Sequence, residues 1–128
     1  MTQNFIPAHH ELLVYQLAIR AATQIFELTL SFPEFEQHLL TQQMLKSSRS
    51  VCANLAEAWQ RRRYRGAFIA KLNEVEAEAA ETQTWVQIAE LCRYLSPETG
   101  HDLQQQYGVI LAAIARLIQN ADVWVISS

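Results

Sequence analysis

Glycine and proline are scarce in this chain, three of each in 128 residues, while half of all residues are apolar. That balance excludes a disordered or linker-heavy protein and points to one dense globular domain, long enough to withdraw roughly two-thirds of its unfolded surface from water. No stretch approaches the roughly 18 consecutive apolar residues of a membrane span. The opening MTQNFIPAHHELL lacks the basic segment and apolar core of a secretory signal, so a cytoplasmic protein without membrane contact is expected. The only two cysteines, Cys52 and Cys92, form no Cys-x-x-Cys or Cys/His spacing. Set among apolar helical neighbours, both read as small buried hydrophobes.

The usual carriers of chemistry are missing as well. There is no glycine-rich phosphate loop and no nucleophile elbow. His9, His10 and His38 have no carboxylate or cysteine arrangement that would make them ligands or bases. A di-iron bundle needs Glu-x-x-His on each of two helices, and only Glu98-Thr99-Gly100-His101 has that spacing, directly after a capping signal. No metal, no cofactor and no enzymatic activity are therefore expected.

What the chain does have is helical periodicity, in four segments. The first spans about residues 8–31 and carries Leu12, Tyr15, Ile19, Ala22 and Phe26 at alternating three and four spacing until Pro33 stops it. Leu13, Val14, Leu17, Ala18, Ile25 and Leu28 widen its apolar face beyond what a surface helix needs, so neighbours are expected on more than one side, another subunit among them. The second, about 34–60, runs through Leu40, Met44, Ser47, Val51, Asn54 and Ala58. Its middle, KSSRS, has weak helix propensity but small side chains that admit a close neighbour. The third, about 64–95, follows Leu72, Val75, Ala79, Thr82, Val86 and Ala89.

The fourth, about 97–121, opens with Ser96 as N-cap, Pro97 at the first position and Glu98 at the positive end of the dipole. It then continues through Leu103, Tyr107, Ile110, Ile114, Leu117 and Ala121. Four such helices on short connections specify an all-α, up-down-up-down antiparallel four-helix bundle, a single domain over residues 1–128. The tail ADVWVISS is apolar and β-branched; extension of the last helix, fraying and pairing with a partner chain all stay open.

Two polar features interrupt the pattern. Asn54 lies on the apolar stripe three residues before Glu57, where an unpaired polar group would cost about 1–3 kcal/mol, so a hydrogen-bonded Asn54–Glu57 pair that fixes register is expected. The second feature is charge. The chain is net −3, yet Lys46, Arg49, Arg61, Arg62, Arg63, Arg65 and Lys71 lie within residues 46–71 against the single acid Glu57, a local surplus of six. Charges more than about 8 Å apart are largely screened at physiological salt, so this cluster can attract RNA or DNA phosphate, with Tyr64 and Phe68 available to stack on bases. The opposing reading has the arginines complement the C-terminal dipole of the second helix and pair with glutamates of the third helix or of a neighbouring subunit. A pI near 5.8 is low for a dedicated nucleic-acid binder.

The run Phe32-Pro33-x-x-Glu36, Leu40-Thr41-x-Gln43, Ser47, Ser50-Val51, Asn54-Leu55-Ala56-Glu57 and Arg61-Arg62 resembles the pattern of the proteins encoded in intervening sequences of bacterial 23S ribosomal RNA genes, the "four helix bundle protein" family. The resemblance covers about residues 12–120. It implies a closed antiparallel bundle that assembles into a homopentameric ring, with no attached enzymatic activity and a poorly defined role. A related branch serves as accessory protein to the reverse transcriptases of diversity-generating retroelements, which implies self, RNA or DNA, and a reverse transcriptase as partners. Three positions depart from the family pattern: Ala58 stands for a glycine, Ala77-Glu78 for a Gly-Ser pair, and Leu45 for a basic residue. The last two subtract positive charge.

Overall fold

A computed structural model describes residues 7–126. They form helices α1 (Leu13–Thr29), α2 (Leu40–Gln60), α3 (Arg65–Leu91), α4 (Pro97–Gln119) and the short α5 (Ala121–Trp124), with 3-10 turns at His9–Glu11 and Glu34–Glu36. No strand occurs among the described residues. The long helices close around one core: α1 packs on α2, α2 on α3, α3 on α4, and α4 back on α1. Contacts from Glu57 to Lys71 and from Ser47 to Thr82 show that α2 and α3 run in opposite directions. Their seam is the most extensive in the molecule, and α1–α4 is the thinnest of the four.

The core follows the expected spacing in three of the four helices. Met44, Ser47, Val51 and Ala58 of α2, Leu72, Val75, Ala79, Thr82, Val86 and Ala89 of α3, and Leu103, Tyr107, Ile110 and Ile114 of α4 are all fully buried. Each large apolar side chain in that set is worth about 1.5–3 kcal/mol relative to exposure. The weak KSSRS stretch is held by packing. Ser47 and Ser48 are completely covered, Ser48 donates to the Met44 carbonyl at 2.7 Å, and the hydroxyls of Ser47 and Thr82 share a 2.8 Å hydrogen bond across the seam. Small side chains thus let α3 approach, and their hydroxyls still find partners.

Helix α1 departs from the expectation. Its buried stripe is Val14, Ala18, Ala21, Ala22, Ile25 and Thr29, whereas Ile19 and Phe26, the most prominent residues of the expected stripe, stay 41% and 42% exposed. Two stripes of equal spacing lie side by side on this helix. The buried one is rich in alanine, which carries little hydrophobic weight in a sequence pattern.

The helix ends also differ from the sequence reading. Leu12 is extended (φ −69°, ψ 131°), so α1 starts at Leu13 rather than near Ala8. Leu39 (φ −120°, ψ −107°) likewise delays α2 from residue 34 to Leu40. Helix α3 stops at Leu91 rather than 95, because Arg93 takes the left-handed conformation (φ 64°) and the amides of Tyr94 and Arg93 return to the carbonyls of Ala89 and Glu90, each at 2.9 Å. This is a Schellman stop with arginine where glycine is usual. Ser96 caps α4 as expected, accepting from the Thr99 amide at 3.1 Å. At this end of the bundle Phe32 packs on Tyr94 (ring centroids 5.2 Å apart), and the Glu36 carboxylate accepts from the Tyr94 hydroxyl at 2.9 Å and the Leu40 amide at 3.2 Å. The α1–α2 and α3–α4 connections are thereby tied together.

Candidate functional site

At the opposite end, residues 61–64 turn the chain from α2 into α3. Trp59, in the last turn of α2 and 1% exposed, organises everything around it. Its indole N–H donates to the Pro7 carbonyl at 2.7 Å, and its ring meets Phe68 (centroids 6.2 Å) and Trp124 (5.5 Å). The Arg62 guanidinium lies 4.0 Å from the Trp59 ring centroid, and Arg62 Nε donates to the Trp59 carbonyl at 2.6 Å. Arg62 is only 8% exposed, and burial pushes its pKa down.

Arg62, expected as part of an exposed cationic band, is therefore a packing residue. The weakly hydrated guanidinium plane suits an indole face better than an ammonium would, and it can be covered at lower cost. Its carbonyl accepts the Ile126 amide at 2.8 Å, which brings the C-terminal segment across the turn. The tail, for which the sequence leaves extension, fraying and pairing with a partner chain open, forms the separate short α5 and folds back on its own chain, while Ser127 and Ser128 lie outside the described residues.

The remaining cations divide into two groups. Arg65 bonds Asp122 at 2.7 Å; Lys71 sits between Glu57 (3.1 Å) and Glu74 (3.4 Å); Arg61 reaches Glu57 at 3.8 Å. The hydrogen bond that Lys71 donates to Glu57, ahead of the other contributions, raises the Lys71 pKa. Arg49 stands 6.0 Å from the Phe26 ring centroid. No ion pair reaches Lys46, Arg49 or Arg63 among the described residues. Setting Glu57, Glu74 and Asp122 against the seven cations leaves a surplus of four rather than six. Tyr64 is 66% exposed, but Phe68 is fully buried and cannot stack on a ligand.

Two further expectations need correction. No hydrogen bond joins Asn54 to Glu57 among the described residues: Asn54 is only half-buried, so water reaches its amide, and Glu57 turns toward Lys71. Cys52 is buried, with burial pushing its thiol up to about 11, but Cys92 is exposed because it caps α3 instead of continuing it. Sequence reasoning missed the roles of Trp59, Asp122 and Trp124, since contacts across 52 to 65 residues leave no local periodic signal.

A second surface lies on the flank. Ile19 and Phe26 of α1 border an open groove closed on the α2 side by Arg49, Cys52 and Ala53. Among the described residues no group of three or more His, Cys, Asp or Glu side chains could hold a metal ion, and no helix is long and apolar enough to cross a membrane.

These features define a small all-helical bundle with a cation-rich end and an apolar flank. Residues 10–116 match the family model of the 23S rRNA-intervening sequence protein, and the chain belongs to that family. Its fold is similar to a crystal structure at 1.70 Å resolution of a protein of unknown function from the S23 ribosomal protein family of Bacteroides thetaiotaomicron VPI-5482. The two share 26% identity with a TM-score of 0.74, over 83% of this chain and 98% of the other. No curated protein matches the chain.

Proposed function

We propose that the protein is a non-enzymatic cytoplasmic scaffold that self-associates through the outer stripe of α1 and the adjoining edge of α2, five copies closing into a ring. The observation that carries this reading is the row Ile19, Phe26 and Leu30, left exposed along a helix whose other stripe already fills the core. Exposed apolar side chains aligned along one helix, beside a groove, suit burial against another copy better than contact with water. Light scattering at micromolar concentration tests it. A discrete oligomer that Phe26→Glu converts to a folded monomer supports the proposal; a compact wild-type monomer overturns it.

A second reading concerns the arginine-rich turn: it binds RNA or DNA phosphate, or docks a nucleic-acid enzyme such as a reverse transcriptase. The five cations of the turn, Arg61, Arg62, Arg63, Arg65 and Lys71, outnumber Glu57, Glu74 and Asp122 by two beside the exposed Tyr64, which favours it. Ring closure would repeat that charge around the assembly and strengthen the field. Binding of structured RNA and duplex DNA across a salt series decides the matter. The reading fails if nothing binds at about 50 mM salt, or if changing Arg61, Arg63 and Arg65 together to Ala leaves affinity and salt slope unaltered.

A further inference from the structure

Arg62 carries a contradiction. A guanidinium has five N–H donors, yet here Nε alone has a partner among the hydrogen bonds described, and Nη1 is wholly buried without one. The C-terminal segment 121–126 packs beside it: Trp124 meets the ring of Trp59, on which Arg62 stacks, and the Ile126 amide bonds the Arg62 carbonyl. That segment is lightly held. Its helix has four residues, Val123 projects into solvent, and the Asp122–Arg65 bond joins two largely exposed side chains, a kind of pair that contributes little. A weak cover over an unsatisfied cation is an arrangement close to balance, because opening restores hydration to Nη1.

Resting on the reading of the turn as a nucleic-acid contact, we propose that residues 121–126 are a displaceable cover over a phosphate site built by Arg62 and Arg65, and that single-stranded RNA is the ligand that displaces them. Asp122 occupies Arg65 as a phosphate oxygen would, so the tail and the RNA backbone compete for one cation. Displacing Trp124 uncovers the Arg62 guanidinium, a planar fork suited to two phosphate oxygens. Tyr64 stands exposed in the same turn, next to Arg63 and Arg65, where an unpaired base can stack; a duplex keeps its base faces covered, which favours the single strand.

The experiment is fluorescence anisotropy with a labelled single-stranded RNA of about 20 nucleotides, comparing the wild type with Trp124→Ala, a change that loosens the cover without altering charge. If the open form is a minor species of roughly one in ten, Trp124→Ala binds about tenfold more tightly, since the cost of opening has been removed. The salt dependence of the wild type and the variant stays the same, because both reach the same bound state. Hydrogen exchange on the wild-type complex supplies a second measurement that needs no variant: RNA should speed exchange of the Ile126 amide while the α2–α3 seam stays protected. Unchanged affinity in a folded Trp124→Ala protein, or unchanged protection of Ile126 at saturation, overturns the cover. If both hold while the Arg61, Arg63 and Arg65 changes abolish binding, the cover alone falls. If no form binds RNA, the underlying reading falls with it. Release that favours duplex DNA over RNA overturns the assignment of the ligand.

Discussion

Tyr107 offers a sharp test of how this core is balanced. It sits in the middle of α4, fully buried, and its hydroxyl has no hydrogen-bond partner among the described residues. Burial pushes the phenol far above its ordinary range, so it stays a neutral donor that nothing accepts. Leaving a buried polar group unmade costs about 1–3 kcal/mol, while the void left by one oxygen, near 10 Å³, costs only about 0.2 kcal/mol. Tyr107→Phe should therefore stabilise the protein by about 1–2 kcal/mol. At roughly 2.1 cal/mol/K per residue the unfolding entropy of a 128-residue chain is about 0.27 kcal/mol/K, so the gain corresponds to a melting temperature higher by about 4–7 °C. Circular dichroism melts and urea titrations at neutral pH measure it, with an unchanged urea slope showing that the unfolded state is not the cause. A fall in stability would refute the reasoning, because it would mean that the hydroxyl has an acceptor and that α4 is held partly by a polar contact.

Three other changes test separate parts of the account. Arg93→Gly removes a side chain from a left-handed position (φ 64°) and should stabilise the end of α3 by about 0.5–1 kcal/mol in the same melts. A thiol-specific reagent should label one cysteine rapidly in the native protein, identified by mass spectrometry as Cys92, and reach the buried Cys52, with its thiol near 11, only on unfolding. Glu78 has its pKa raised by burial first and then by Glu81, with Lys46 opposing, so its charged form is disfavoured in the fold. The resulting penalty exists above the folded pKa and disappears below it. Glu78→Gln should accordingly raise stability by a few tenths of a kcal/mol at pH 7, discounted for exposure, and give no gain once Glu78 is protonated in acid.

The sequence conveyed the core of α2, α3 and α4 well because each buries a single stripe at three and four spacing. It misled for α1, where alanines fill the buried stripe and Ile19 and Phe26 mark the outer one. Helix ends were the least legible part: the stops at Leu12, Leu39 and Arg93 rest on backbone angles that no glycine or proline announces. For the candidate site, composition located the cations but could not tell which were free. Arg62 and Arg63 are adjacent and chemically identical, yet one stacks on Trp59 and accepts at its carbonyl the amide of Ile126, 64 residues away, while the other stands in solvent. Only tertiary structure separates them.

The residues of the family pattern carry a consequence for function. Phe32 and Glu36 join the two connections at one end, Leu40, Val51 and Leu55 fill the core, Ser47 bonds Thr82, Glu57 bonds Lys71, and Arg62 stacks on Trp59. Each of these roles concerns holding helices in register or closing an end of the bundle. A pattern composed of such residues specifies the fold whatever the protein binds, which is why matching it secures architecture and leaves activity open. The residues that would distinguish one binding partner from another lie outside it: Arg63 and Tyr64 on the exposed side of the turn, Asp122 and Trp124 in the segment that covers it, and Ile19 and Phe26 on the outer flank of α1. Variation placed at those six positions should change what the protein contacts while leaving its melting cooperative, whereas variation within the pattern should first loosen the bundle.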